Sequence, residues 1–446
     1  MHTTPLWTVL PFLVYLFGIA VVPILFGHFW ESNRNKLIVA VAASSPVLIY
    51  LAGLSGGGAL LGRTACDYFA FMALLAALFT ISGGICLHGA LVGSPLVNTM
   101  ILATGSLLGS LVGTTGASVL LIRPLLRANE RRASVTHVVV FFIFIVSNGA
   151  GLLTPLGDPP LFLGFLRGVP FAWTLRLAPQ WALVNGALLA IFAVIDKVQF
   201  ARERRNPPVR RSLTPRPAAP EATGPLRLDG ALNLVWLAGM VSFVFLIGSY
   251  GQRYLGDGYL RAVVQIAGTL GFAALSFNTT AKRVHEMNRF SWGPIVEVAA
   301  VFVGVFVTMV PAMSFLAERG AALGITKPWQ FFWAAGALSS VLDNAPTYLT
   351  FASLATGVAN GVGGATLSPD NLGALAAHPL GQHLLTAVSC GAVLMGAVTY
   401  MGNGPNFMVK AIAEQHRVRM PTFFGYTLWS FAILVPLFAV VSVIFF

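Results

Sequence analysis

The chain has 446 residues, of which 56% are hydrophobic and 9% charged. A soluble domain carries roughly 25% charged residues, so a soluble enzyme, a disordered chain and a secreted disulfide scaffold are excluded. The formal net charge of +12 would suit nucleic acid, but in so apolar a chain it reads as the signature of basic cytoplasmic loops, and no nucleic acid is expected as a partner.

A membrane span needs about 20 apolar residues. Taken in chain order, the first candidates are 6–27, 37–54 and 68–87. The first reads as a retained span, because no basic n-region precedes it. The stretch 96–112 then meets Gly113-Thr114-Thr115-Gly116 and continues as a short apolar run, which predicts a re-entrant hairpin over 96–127. Polar backbone of this kind is tolerated at membrane depth only inside protein or along a cavity. A helix over 138–166 is broken by Gly and Pro, and a span follows at 177–195. Residues 201–229, rich in Arg, Pro and Ala, form a cytoplasmic linker. The second half repeats the order: spans at 230–249, 262–277 and 294–316, a hairpin over 329–356 with Asp343-Asn344-Ala345-Pro346 at its tip, a broken helix over 384–412, and a last span over 422–446. Cys66, Cys86 and Cys390 form no CxxC pair and read as packing residues.

The expected fold is an all-α polytopic membrane protein with about ten crossings, two re-entrant hairpins and two broken helices. With both termini outside and the linker inside, 20 of the Lys and Arg residues fall inside and 7 outside. The positive-inside rule favours that orientation over its mirror image. Five crossings per half make the second half enter from the opposite side, so 1–200 and 230–446 are expected to be inverted-topology repeats. A local echo supports this: Thr154, Gly157, Pro160 and Phe162 match Thr399, Gly402, Pro405 and Phe407 at an offset of 245.

Paired interrupted helices at corresponding positions point to a transporter's substrate site. The expected site therefore lies near midplane, between two hairpin tips and two breaks. Its residues are Asp158, Asp343, Asn344, Thr347, Asn403, Thr114, Thr115, Asn148, Thr154, Gly157 and Gly402. A carboxylate within a bilayer is costly and marks function by default. Oxygen ligands suit a hard cation, so Na⁺ is expected at Asp158, Asp343, Asn344 and Asn403, with a proton as its competitor. Asp is also a strong N-cap residue, which gives Asp343 a structural alternative. Glu297, near the inner end of its span, is a candidate for the proton path or for a pair with a linker arginine. Asp67, Asp196 and Glu414 sit near span ends and read as interfacial. His88 and His137 read as loop or packing residues.

Two stretches carry a resemblance. Ser147-Asn148-Gly149-Ala150-Gly151 with Thr154-Pro155-Leu156-Gly157-Asp158-Pro159-Pro160, and Ser340 with Asp343-Asn344-Ala345-Pro346-Thr347, resemble the signatures of the ion-transporter superfamily. The sequence is most similar to its sodium/proton antiporter and citrate-transporter-like branch, which also contains arsenite permeases. The resemblance implies a secondary carrier in an inner (cytoplasmic) membrane, a homodimer working by an elevator motion, with no cofactor beyond Na⁺ and H⁺ and no obligate soluble partner. The tips depart from the Ser-Asn-Thr pattern of dicarboxylate carriers in that superfamily. Aspartates in both halves would repel a di- or tricarboxylate unless protonated or screened by Na⁺. Sodium/proton antiport is therefore the leading expectation, and a citrate, dicarboxylate or other anion carrier coupled to Na⁺ or H⁺ the alternative. Enzyme function is not expected: His285-Glu286 lacks the second histidine of HExxH, and Asp158 lacks the glycine pattern of an intramembrane aspartyl protease.

The topology is testable by labelling. A cysteine at Thr214 should react only from the cytoplasmic side and one at Thr366 only from outside; reaction of both from one side would remove the inverted repeat.

Overall fold

The computed structural model describes residues 4–88, 92–205, 227–256, 259–288, 290–364 and 366–446. Most of the linker, 206–226, lies outside the described residues, as do residue 289 and the first three residues, on which the retained-span reading partly rests. The chain is an all-α polytopic membrane protein. Among the described residues, ten helices are long and apolar enough to cross a membrane. They differ in membership from the ten expected crossings. The first hairpin arm, Pro95–Val112, qualifies, while the first broken helix is too short and enters only as the apolar piece Thr136–Leu152.

Proline and small residues set where the helices start and stop. The first hairpin consists of Pro95–Val112 and Thr114–Ala128, joined at Gly113. Ser94 caps the first arm by accepting from the Val97 N–H, and Pro95 follows at the first helical position, where its missing N–H costs nothing. Gly113 takes φ +78, a conformation open to glycine and strained for other residues. The second hairpin consists of Pro328–Val341 and Asn344–Gly363. Each is followed by a broken helix. Thr136–Ile145 tightens into Gly149–Leu152, breaks, and restarts as Pro159–Leu166; Pro379–Leu394 tightens into Met395–Val398, breaks, and restarts as Gly404–Gln415. Both restarts carry a proline in the first two positions.

The broken helices and the second arms of the hairpins form most of the interior. His137 to Ile145 are all buried, and the window in Pro379–Val398 is 83% buried against 22% in Leu232–Gly251. The outer helices Leu10–Leu25, Asn33–Ala52, Gly57–Gly83, Leu232–Leu255, Tyr259–Thr279 and Gly293–Arg319 pack mainly on one another. They leave large apolar side chains such as Ile49, Leu246 and Val263 exposed, as a lipid-facing surface requires.

Several boundaries differ from expectation. The helix expected at 177–195 runs Ala178–Arg205, so the first residues of the linker segment are helical. Its last described residues, Arg227–Asp229, pair antiparallel with Cys86–His88. This two-stranded clip ties the end of the linker to the end of the third span. Asn233 reinforces it, donating to the Gly84 carbonyl and to Thr280 Oγ1, both at 2.8 Å. The His285 segment, between the spans expected at 262–277 and 294–316, is the short helix Lys282–Met287.

Asp196 and His137 are not at an interface with solvent. Asp196 is fully buried, and its carboxylate accepts from Arg132 Nη2 (2.8 Å), Asn98 Nδ2 (2.9 Å) and the His137 ring (2.9 Å). The cluster joins both ends of the first hairpin to the first broken helix and to Ala178–Arg205. Helical periodicity misses it because its members come from separate elements. Asp196→Ala removes one of two carboxylate partners of Arg132, which keeps Glu203 at 2.8 Å, and leaves buried Asn98 and His137 without this acceptor, a loss of about 1–3 kcal/mol. Purified Asp196→Ala protein should melt well below wild type in detergent; equal melting would show that the cluster contributes little to stability.

Candidate functional site

The two helix breaks and the two hairpin tips meet at Asp158. Its carboxylate is buried at 1% exposure. Oδ1 accepts from Thr114 Oγ1 at 3.0 Å and from Asn403 Nδ2 at 3.3 Å, and Oδ2 accepts from Asn344 Nδ2 at 2.5 Å. Thr114 opens the second arm of the first hairpin, Asn344 opens that of the second, and Asn403 caps the restart of the second broken helix. One carboxylate thus joins four chain segments through neutral donors.

The breaks are built alike. Thr154 Oγ1 donates to the Ser110 carbonyl, and Thr399 Oγ1 donates to the Ser340 carbonyl. Each threonine oxygen then accepts from the N–H two residues on, Leu156 at 3.2 Å and Met401 at 3.1 Å. These hydroxyls pin each break to its hairpin and satisfy backbone groups that the unwinding frees. Gly157 packs on Gly151 and Gly402 on Gly396. A Cβ would lie 2.4 Å from the Gly151 oxygen in the first and 2.6 Å from the Gly396 oxygen in the second. The Gly157 carbonyl also accepts from the Thr114 N–H at 2.9 Å.

Not every expected site residue faces the same space. Asp343 is half-buried and lines the cavity described below, but its Oδ1 accepts from Ala345 N–H at 3.0 Å, the geometry of a helix cap. It makes no hydrogen bond to the Asp158 cluster. Thr114 is therefore matched at the site by Asn344, the first residue of its helix, rather than by Asp343. Thr347 donates to the Asp343 carbonyl at 3.0 Å and serves its own helix. Asn148 lies behind Asn403, accepting from its Nδ2 at 3.2 Å. Thr115 lines the cavity; Gly402 and Thr154 support the breaks from behind. Glu297 pairs with Lys36, not with a linker arginine: Lys36 Nζ is 2.6 Å from Oε1.

A cavity of about 1200 Å³ opens beside Asp158. One wall is the two tips and breaks, including Thr114, Thr115, Asp158, Asp343 and Asn403; the other is formed by Leu10–Leu25, Gly57–Gly83 and Gly293–Arg319. The cavity is also lined by Glu31, Lys36, Glu297, Lys410 and Glu414, which lie in the helices Gly27–Glu31, Asn33–Ala52, Gly293–Arg319 and Gly404–Gln415. Asn344 Oδ1, buried at the site, has no hydrogen-bond partner among the described residues. A carboxylate, a hydroxyl and amide oxygens are the donor set that a hard cation takes, and Asn344 holds an oxygen in reserve for one. Among the described residues, no group of three or more His, Cys, Asp and Glu could hold a metal ion. Any cation here would thus rest on one carboxylate and neutral oxygens. Sequence reasoning missed Ser147, whose carbonyl accepts from Asn403 at 3.1 Å, and Asn406, taken up below.

Residues 1–446, the whole chain, match a family model described as "Putative citrate transport". No curated relative matches the chain.

Both glycine contacts are testable. Gly157→Ala and Gly402→Ala each drive a methyl group into a backbone oxygen and should sharply reduce the monodisperse fraction after detergent extraction. Gly404→Ala, with nothing within 4 Å of its Cβ, should extract like wild type. Normal extraction of both site variants would contradict the packing described.

Proposed function

The chain belongs to this citrate-transport family, a family of membrane transporters, and on that premise we propose that it is a secondary active carrier whose Asp158 site binds a cation in competition with a proton. The observation that carries the reading is the Asp158 carboxylate itself, buried and held by three neutral donors from three other segments. A buried carboxylate without a fixed positive partner is poised to take either a cation or a proton. The two occupants exclude each other, which is the requirement for sodium/proton antiport.

The cavity supports alternating access. It lies between the outer helices and the group of hairpins and broken helices, and its lining includes Lys36 and Lys410, two of the basic residues that the charge count assigns to the cytoplasm. In this reading the conformation is inward-facing, the two halves are inverted repeats, and the inner group is the part that moves, as in an elevator.

A second reading is favoured by the family description and by the cavity volume, which far exceeds what a bare Na⁺ needs. Here a citrate-class carboxylate occupies the cavity, and a cation at Asp158 offsets the charge that would otherwise repel it.

Reconstitution separates the two. In proteoliposomes, an imposed Na⁺ gradient read with a pH-sensitive dye reports antiport, and labelled citrate reports the second reading. Asp158→Asn should lower either activity by at least about a hundredfold, since it removes the exchangeable charge while keeping the side chain's size. Asp343→Asn, which caps about as well as Asp, separates a cap from a second titrating group: retained transport assigns it the cap, and lost transport assigns it a charge role. Near-normal transport by a well-folded Asp158→Asn carrier would reject the carboxylate mechanism.

A further inference from the structure

Asn406 is fully buried, three residues beyond Asn403 in the restarted helix. Its Nδ2 donates to the carbonyls of Gly396 at 2.8 Å and Thr399 at 3.0 Å. Backbone carbonyls only accept, so they fix which end of this amide is nitrogen. The Asn406 oxygen is thereby turned to Asn148, whose Nδ2 donates to it at 2.7 Å and to the Ile143 carbonyl at 2.8 Å. With its donors committed, Asn148 presents Oδ1 to Asn403 Nδ2. Asn403 in turn presents that nitrogen to Asp158 Oδ1.

A single polarity runs through this relay to the buried carboxylate, set by the Gly396 and Thr399 carbonyls at Asn406 and shared by those of Ile143 at Asn148 and Ser147 at Asn403. We propose that Asn406 is a positioning residue for the cation site: acting through Asn148, it holds Asn403 as a donor toward Asp158. The proposal rests on the reading of Asp158 as the cation and proton site. The repeat does not demand the residue, because Leu161 occupies the corresponding position in the first half. The helix restart does not demand it either, since Pro405 supplies the restart.

The physical consequence follows from the charge of Asp158. A donor fixed toward a carboxylate stabilises its ionised form, the form that binds a cation. Besides the neutral Thr114, Asn344 and Asn403, the titratable group that acts on Asp158 is Asp343 from the second hairpin tip. If Asn148 is released, Asn403 Nδ2 keeps only the Ser147 carbonyl, at 3.1 Å, to hold it in place, and its bond to Asp158 Oδ1, at 3.3 Å the longest to that carboxylate, loosens. Cation affinity then falls and the proton competes better, while the moving parts of the carrier are untouched.

The test is Na⁺-dependent proton release from proteoliposomes, with Na⁺ varied at several pH values. Asn406→Leu should raise the KM for Na⁺ about tenfold, the scale of one hydrogen bond to a charged group, with Vmax within about twofold. It should also shift the pH profile upward. Asn148→Ala breaks the next link and should do the same, and the double variant should be no worse than either single one, since one relay is cut twice. Asn406→Asp should restore a near-wild-type KM, because its protonated carboxyl donates to a carbonyl and still accepts from Asn148. A merely structural role would lower the yield or Vmax and leave KM and the pH profile in place. If Asn406→Leu does not insert, Asn148→Ala decides by the same two readouts. Wild-type KM in both, in a carrier that Asp158→Asn inactivates, overturns the relay alone. Na⁺-dependent release that survives Asp158→Asn overturns the reading of the site, and the relay with it.

Discussion

A carboxylate buried among four chain segments imposes the constraint that the rest of the structure answers. On the proposed function Asp158 is ionised when it exchanges its occupant, and an ionised group in an apolar interior is costly unless hydrogen bonds satisfy it. Side chains on an unbroken helix cannot supply those bonds from several directions. The chain therefore unwinds twice and folds back twice, so that Thr114, Asn344 and Asn403 each open or cap a helix where they meet Asp158. All three are neutral, which stabilises the charge without cancelling it. An arginine in their place would make a permanent ion pair and leave nothing to exchange.

Unwinding creates a second problem, because each break frees backbone groups in a dry interior. The answer is the same in both halves. A threonine hydroxyl bridges break and hairpin, a glycine lets two backbone strands approach, and a proline restarts the helix. These pairs of solutions lie 245 residues apart, and they explain why the echo in sequence keeps Thr, Gly and Pro. These are the residues whose backbone chemistry the break requires, whereas the surrounding apolar residues need only fill space and are free to drift.

What the sequence made legible follows from that division. Gly157, Gly402 and the prolines after them announce the breaks, because few residues can play those parts. The tips were legible as interruptions, but their register was not. Asp343 and Asn344 are adjacent polar residues at a helix start, and only the backbone decides which caps and which reaches across to Asp158. The charge-bearing residue takes the cap, and the amide takes the site. Asn406 had no counterpart to mark it, since its partner position is Leu161. The pairings of Lys36 with Glu297 and of Asp196 with Arg132 join elements distant in sequence, which periodicity along one helix cannot reveal. The linker signal stood out in composition, yet its ends are structured because the preceding helix runs on and Arg227–Asp229 finds a strand partner.

The cavity's charge bears on how a carboxylate cargo and a carboxylate site can coexist. Its walls present Glu31, Asp158, Asp343, Glu297 and Glu414 against Lys36 and Lys410. The lysines are already engaged, Lys36 by Glu297 at 2.6 Å and Lys410 by Glu414 at 3.0 Å. A bare cation entering this space is drawn toward Asp158. A bare tricarboxylate entering it is repelled, and the repulsion is least screened at the buried end, where water is scarce. Occupation of Asp158 by a cation removes the nearest negative charge and adds a positive one at the wall of the cavity. The order of events for an anion would then be cation first and cargo second, and release of the cation would weaken the hold on the cargo. Both readings of the function therefore pass through the same step at Asp158 and diverge only in what fills the volume beside it.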